Sequence, residues 1–517
     1  MQSYYVTTPI YYVNDEPHLG HVYTTVAADV LARHQRLYGL DAFFLTGVDE
    51  HGQKVQQAAE ARGIAPIELA DQVVERYRAL WPKLSISHDD FIRTSSERHQ
   101  QAVQEMWRRI DASGSMYKGF YEDWYCVPCE TYWKETQIKE AGCWDDEQTK
   151  HLCPDCKRPV ERVQEESYFF RLGDYQQALL DHIAKNPDFI APVSRRNEVV
   201  RFVEGGLHDL SVSRTTFSWG VPVPGDDKHV VYVWIDALTN YLTGLGFPDK
   251  DVSQYWPADV HLIGKDILRF HAVYWPCMLM AAGIPLPRRV FAHGWWTVEG
   301  EKMSKSRGNA LAPDDLMARY GVDPLRYFLL REVPFGQDGD FSHDALKQRY
   351  NSELANDLGN MLNRSLSMLQ KYRDGIIRHT GVEMSGDRAL IANVEAMQRE
   401  VHEHLQQQAF HLALERINEV VRHGNRYVED NAPWALARQG DDERLDTVLY
   451  HLVEMLRLVT LELTPFMPEK AAAMLEQLMN ASVSVDGLRM HELGGWGLLT
   501  DGHQCARPEP VFPRMDE

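Results

Sequence analysis

The sequence predicts an α/β doubly wound, Rossmann-like domain split by a cysteine-bearing insertion and followed by an all-α helical bundle. Three observations carry that reading. Short β-branched and aromatic runs alternate with runs of helical period over residues 1–115 and again over 226–300. Between them the alternation gives way to aromatic segments, turn residues and two Cys-x-x-Cys pairs. Beyond Pro313 apolar residues recur at helical spacing almost throughout.

Taken in order, residues 4–10 form the first strand, and from His18 the apolar Leu19, Val22, Val26, Val30 and Leu31 fall on one helix. Residues 42–46 read as a buried strand ended by Gly47, and 54–62 as a helix stopped by Gly63. Residues 66–81 form a helix opened by Pro66, whose missing N–H is harmless in a first turn. A strand at 91–94 and a helix with Ser96 as its N-cap complete half a sheet by about residue 115. After the insertion the sheet resumes with strand-like runs at 229–235, 260–263 and 290–292 and a helix at 266–282. Periodic runs at 342–373, 389–429 and 446–463 build the bundle, with 373–387 as a flexible connection. The expected domains are 1–115 and 226–300 for the two catalytic halves, 116–225 for the insertion, 301–345 for a linking region opened by a cationic loop, and 346–517 for the bundle with its tail.

A chain of 517 residues, 44% hydrophobic and 25% charged, is folded and multidomain, which excludes disordered, collagen-like and coiled-coil proteins. No apolar run reaches the roughly 18 to 20 residues of a membrane span. With 54 basic against 75 acidic residues the net charge is −21, so a nucleic-acid partner must be met by a local patch and by shape. Seven cysteines, an odd number, fit a metal site in a reducing compartment better than a disulfide framework. The N-terminal MQSYYVTTPIYYV carries no targeting pattern, and the cytoplasm is the expected location.

Three local patterns bear chemistry. His18-Leu19-Gly20-His21 stands where the first strand meets its helix, a junction that faces the ligand crevice of a doubly wound fold. Two imidazoles one turn apart can donate to a phosphoryl group whose charge grows in the transition state, and Gly20 lets an adenine ring approach the backbone. Alone, the motif is equally compatible with two solvated histidines. Lys302-Met303-Ser304-Lys305-Ser306-Arg307-Gly308-Asn309 is a cationic loop after the last strand, fit to clamp a polyphosphate or simply to be solvated. The two motifs flank the two halves of one sheet, which favours a nucleotide site. Cys126-Val127-Pro128-Cys129 and Cys153-Pro154-Asp155-Cys156 are knuckles at the spacing of structural zinc sites, where four thiolates close a tetrahedron and the metal serves folding. Cys143 lies between them without a partner at knuckle spacing, and Cys277 and Cys505 read as inert thiols.

Together, His18 to His21 and Lys302 to Ser306 resemble the two signatures of the class I aminoacyl-tRNA synthetases, most closely the methionine-specific branch. The likeness runs through Tyr4-Tyr5-Val6-Thr7-Thr8-Pro9-Ile10-Tyr11-Tyr12, Thr46-Gly47-Val48-Asp49-Glu50-His51-Gly52, Val233-Trp234-Ile235-Asp236-Ala237 and Gly264-Lys265-Asp266 into the helical part. It implies activation of L-methionine by ATP with Mg2+ to methionyl-adenylate, and transfer to the 3′ end of the tRNA for methionine. By the same resemblance His18 and His21 act on the triphosphate, Lys302 and Lys305 stabilise departing pyrophosphate, and Gly264 and Asp266 hold the ribose. The implied methionine pocket is Ile10, Tyr12, Asp49, Trp234, Leu238, Tyr241, Ile267 and His271, with Asp49 on the substrate ammonium. A thioether carries no charge, so shape and sulfur–aromatic contacts must discriminate. Read without the family, Trp234, Leu238 and Tyr241 are merely one apolar helix face. Asn360, Arg364 and Trp434 match residues that meet the anticodon, the first two sharing a helix face and the third able to stack a base. The bland alternative makes Trp434 a core residue.

Other readings are a small-molecule nucleotidyltransferase, which lacks the helical domain, and a class I synthetase for another small apolar amino acid. Synthetases for branched aliphatics carry a larger editing insertion than residues 117–224. A zinc-stabilised tRNA-binding protein without activity would need broken phosphate motifs. A monomer is expected, since the family's usual dimerisation barrel needs more chain than follows Leu493.

Overall fold

The computed structural model describes residues 2–13, 16–129, 131–145, 151–298, 301–302, 311–378 and 383–515. At its centre is a parallel sheet of seven strands: β1 (Ser3–Thr7), β2 (Tyr11–Tyr12), β3 (Asp41–Asp49), β4 (Asp90–Arg93), β5 (Ile190–Ala191), β6 (Val260–Gly264) and β7 (Val290–His293). The order runs β2-β3-β1-β6-β7-β5, with β4 also paired to β3. Neighbouring residues on these strands belong to different cores. Val6, Phe44, Leu262 and Phe291 face one apolar cluster, whereas Tyr5, Leu45, Ile263 and Ala292 face the other. Burial on both faces is what makes parallel strands read as unbroken apolar runs. At Gly47 an added Cβ would lie 2.3 Å from the Ile92 carbonyl oxygen, so β3 and β4 approach there only because the side chain is absent.

The first helix, α1 (Leu19–Leu37), follows β2, and the helices Gln53–Arg62 and Pro66–Lys83 match expectation, including a left-handed Gly63 at φ 67°. Ser96 does occupy the N-cap of Glu97–Ala112, but its hydroxyl donates back to the Arg93 carbonyl at 2.7 Å and leaves the helix without a side-chain cap. The run expected as strand 229–235 divides differently. Asp226–Val231 belongs to a separate antiparallel sheet with Ser213–Arg214 and Pro222–Val223, and Val233–Thr243 is already helix. A continuous apolar run cannot distinguish a buried helix from a buried strand, and the extended Tyr232 makes the junction. The helix expected at 266–282 is instead a 3₁₀ turn (Lys265–Ile267), a π-helical turn (Phe270–Tyr274) and an α-helix (Trp275–Ala281), with Pro276 supplying no N–H to the regular ladder.

The insertion is built on a long antiparallel pair, Met116–Cys126 with Glu161–Phe170, flanked by Thr131–Trp133 and Leu210–Ser211. The stretch 116–225 also lends β5 to the central sheet, a strand too short to announce itself in sequence. Of the expected connection 373–387, residues 379–382 lie outside the described residues, and Ile376 pairs with Gln504. The bundle comprises Asn360–Arg373, Ser385–Gln406, Phe410–Asn431, Asp442–Leu463 and Pro468–Met479, packed on the same apolar cluster that covers one face of the sheet. Among the described residues no helix is long and apolar enough to cross a membrane.

One polar joint fastens bundle to sheet. Asp29 of α1 and Arg326 of the helix Val322–Arg331 pair at 2.7 Å with both side chains 0% exposed. Arg326 also donates to the carbonyls of Leu84, Pro465 and Phe466. Burial acts to raise the Asp29 pKa, but Arg33, Arg326 and Ser87 outweigh it and hold the carboxyl below its ordinary 3.8. Arg326→Leu should cost about 3–5 kcal/mol, the usual loss when one partner of a buried pair is removed. Because the folded Asp29 pKa is depressed, the pair's stabilisation is fully present above about pH 4 and is lost as pH falls through the folded value. Urea midpoints of both proteins against pH provide the check: equal midpoints at pH 7 would show that the pair does not hold the joint.

Candidate active site

The C-terminal ends of β1, β3, β6 and β7 carry Thr7, Asp49, Gly264 and His293, and β1 stands where the strand order reverses. Ligands of open α/β sheets bind at such a crevice. Into it opens α1, with His18 as its N-cap. The Gly20 N–H donates to His18 Nδ1 at 3.1 Å, and the His18 N–H donates to His21 Nδ1 at 3.2 Å. Both Nδ1 atoms accept, so each neutral ring carries its proton on Nε2, a donor suited to a phosphoryl oxygen. The imidazoles stack with centroids 3.7 Å apart, and Tyr11 packs on His21 at 4.6 Å. Gly20 is required, since a Cβ there would lie 2.9 Å from His18 Cε1. Thr24 of the same helix reaches His293 Nε2 at 2.6 Å and so ties α1 to the end of β7.

Gly264 ends β6, and Asp266 follows on the 3₁₀ turn, its Oδ1 accepting the indole N–H of Trp295 at 3.1 Å. Lys302 lies in the two-residue strand Glu301–Lys302, paired with Thr297 and Val298; Lys305 and the rest of its loop lie outside the described residues.

Several expected pocket residues do come together. Tyr241 and His271 share a 2.6 Å hydrogen bond, and His271 Nδ1 meets the Ile267 carbonyl at 3.0 Å. The carbonyl can only accept, so Nδ1 bears the proton and Tyr241 donates to Nε2. Burial pushes His271 down to about 4, which keeps the ring neutral. Trp234 stacks face to face on Phe270 at 3.5 Å and meets His271 edge-on at 6.4 Å. Leu238 is buried beside them on the same helix, Val233–Thr243. Tyr12 pairs in register with the buried Asp49, and Lys54 Nζ lies 5.0 Å from the Tyr12 ring. Ile10, between β1 and β2, is partly exposed.

Sequence reasoning missed the group that holds this pocket's frame. Asp236 is buried between His51, at 2.6 Å, and His99, at 2.9 Å. Its burial works to raise the pKa, yet the two imidazoles bring it down to about 2. A carboxylate inside the apolar run 233–242 was the available signal.

In the insertion the sulfurs of Cys126, Cys129, Cys153 and Cys156 all lie within 4.8 Å of one another, with Cys126–Cys156 at 3.5 Å and Cys129–Cys153 at 3.8 Å. A tetrahedron with metal–sulfur bonds of about 2.3 Å has edges of about 3.8 Å, so the cluster fits a thiolate-bound metal. Cys143 stays outside it, with Lys157 Nζ at 3.1 Å. In the bundle, Arg364 lies over the Trp434 ring at 5.1 Å and pairs with Glu429 at 2.6 Å, while Asn360 is exposed one turn earlier on the same helix. Trp434 is only partly buried.

Residues 4–366 match the family described as tRNA synthetases class I (M), and residues 377–517 match the anticodon binding domain of methionyl tRNA ligase. Among curated relatives, the methionine–tRNA ligase of Brucella suis biovar 1 is 50% identical over 520 residues, spanning all of this chain and 98% of that one. The methionine–tRNA ligase of Caldanaerobacter subterraneus subsp. tengcongensis is 49% identical over 519 residues, spanning all of this chain and 79% of that one. The structure of Mycobacterium tuberculosis methionyl-tRNA synthetase in complex with methionyl-adenylate superposes with a TM-score of 0.94 at 47% identity, covering 99% of this chain and 100% of that one. The chain belongs to the class I aminoacyl-tRNA synthetases, in their methionine-specific branch.

Proposed function

We propose that the chain joins L-methionine to its tRNA in two steps at the crevice of the central sheet. The supporting observation is one of placement: a His-x-x-His N-cap and an aromatic pocket stand beside the ends of neighbouring strands. In the first step a methionine carboxylate oxygen attacks the α-phosphorus of ATP, the bond to the bridging oxygen breaks, and pyrophosphate leaves. His18 and His21 donate to the triphosphate, and Lys302 and Lys305 offset the charge that grows on pyrophosphate; Mg2+ bound with ATP would supply further neutralisation of the triphosphate charge. Asp49 receives the ammonium, while Tyr12, Trp234 and Tyr241 surround the thioether. In the second step a ribose hydroxyl at the tRNA 3′ end attacks the adenylate carbonyl and AMP departs. Asn360, Arg364 and Trp434 read the anticodon. Cys126, Cys129, Cys153 and Cys156 would hold one structural Zn2+, which would cross-link the knuckle rather than take part in the chemistry. A monomer in the cytoplasm remains the proposal drawn from the sequence.

Metal analysis of the purified chain should find one zinc, lost in Cys153→Ser and kept in Cys143→Ser. The reverse pattern would move the site.

Lys305→Ala should slow adenylate formation by about a hundredfold or more while methionine affinity changes little, because its charge acts as pyrophosphate departs. Single-turnover kinetics distinguish this from the opposite result, an unchanged rate with a raised methionine KM.

Trp434→Ala should leave methionine-dependent pyrophosphate exchange intact and reduce tRNA charging tenfold or more, given about 1–3 kcal/mol for a stacked base. If exchange and charging fall together with a large loss in melting temperature, Trp434 is a core residue after all.

A further inference from the structure

Asp266, the carboxylate read as holding the ATP ribose, sits exposed on a turn of three residues, where little of its own element fixes its torsions. Its surroundings do so instead. Oδ1 lies 2.5 Å from where a Cβ on residue 264 would stand, so the carboxylate is folded back over the bare Gly264 backbone. There it accepts the indole N–H of Trp295 at 3.1 Å. Trp295 is 36% exposed, yet it is gripped from two directions. Its backbone N–H donates to Asp338 Oδ1 at 2.8 Å, and Lys265 Nζ sits 4.2 Å from its ring centroid. Lys265 in turn donates to both Asp338 oxygens, at 2.7 and 2.6 Å. The preceding Gly294 presses on the backbone of Gln337 and Asp338 so closely that a Cβ would fall 2.1 Å from the Gln337 carbonyl oxygen. The indole is therefore anchored to the backbone crossing of two segments, and it hands that order on to Asp266.

We infer that Trp295 is the positioning residue for ribose recognition: its N–H holds Oδ1 of Asp266 so that Oδ2 accepts from a ribose hydroxyl, with the Lys265–Asp338 pair as its brace. The inference rests on the reading that Asp266 meets the ribose. An aspartate released from the indole turns freely, and what it loses is selectivity for the hydroxyl. The ribose is remote from the bond that breaks, so the loss falls on nucleotide affinity more than on turnover.

The test is pyrophosphate exchange with ATP, 2′-deoxyATP and 3′-deoxyATP, run on Trp295→Phe, which keeps the ring and removes the N–H, beside Asp266→Asn. The expected result for Trp295→Phe is an ATP KM raised about tenfold, with kcat within about twofold and the KM for methionine unchanged. The preference for ATP over the deoxynucleotide lacking the contacted hydroxyl should collapse in both variants. A preference lost in Asp266→Asn but kept in Trp295→Phe overturns the positioning role and leaves the ribose reading standing. A preference kept in both overturns the two together. Parallel rises in the KM for ATP and methionine with the preference intact would make Trp295 a general structural residue and also overturn the inference. Should Trp295→Phe melt early, Asp338→Asn decides, since it loosens the brace with the indole still present: the preference must fall there, and its persistence counts against the proposal.

Discussion

Much of this architecture hangs on the ion pair of Asp29 and Arg326, because α1 serves two masters. Its first turn presents His18 and His21 to the crevice, and its middle and end press on the bundle. Stripping water from two charges costs several kcal/mol each, a cost offset here by unusual saturation. Arg326 has three carbonyls besides the carboxylate, and Asp29 has Arg33 and the Ser87 amide and hydroxyl. Further along α1 the contact changes character. His34 meets His402 at 3.0 Å and Tyr38 donates to Glu462 at 2.8 Å. Burial lowers His34 to about 3 and raises Glu462 to about 8, so these groups meet uncharged at neutral pH. The buried pair of Asp29 and Arg326 and the Arg33–Asp486 pair at 2.7 Å tie the middle of α1, and uncharged polar contacts follow toward its end.

At the base of the proposed methionine pocket two polar side chains serve each other. Tyr241 gives its proton to His271, and His271 gives its own to the Ile267 carbonyl, so the donors at the pocket's base are already used. A thioether asks for nothing more, being a weak acceptor with polarisable sulfur. Burial of His271 keeps this pair uncharged.

What could be read from sequence was whatever lies close along the chain. The helix from His18, the Gly63 stop, the Pro66 start and the two knuckles each depend on residues a few positions apart, and each is found where expected. The strand expected at 229–235 holds only to Val231 because apolar continuity carries no period, and Ser96 takes the N-cap position while its hydroxyl donates to the Arg93 carbonyl. Long-range partners were invisible for a different reason. Asp236 is 185 positions from His51 and 137 from His99, and nothing in local spacing encodes such a meeting. Trp295 and Asp266 are 29 positions apart, and only the fold brings them together.

The insertion shows how a cluster remote from the chemistry still bears on the pocket. Cys126 ends the strand that also carries Tyr125, and Tyr132 faces Tyr125 across the hairpin. Arg214, buried at 2% exposure, lies over the rings of Tyr125, Tyr132 and Tyr232 at 5.6, 4.9 and 4.5 Å. Tyr232 is the N-cap residue of the helix that holds Trp234, Leu238 and Tyr241. A guanidinium sandwiched by desolvated aromatics gains more from each ring than it would at a surface, and three rings share it here. The hairpin that the four thiols close and the helix Val233–Thr243 therefore meet at one cation.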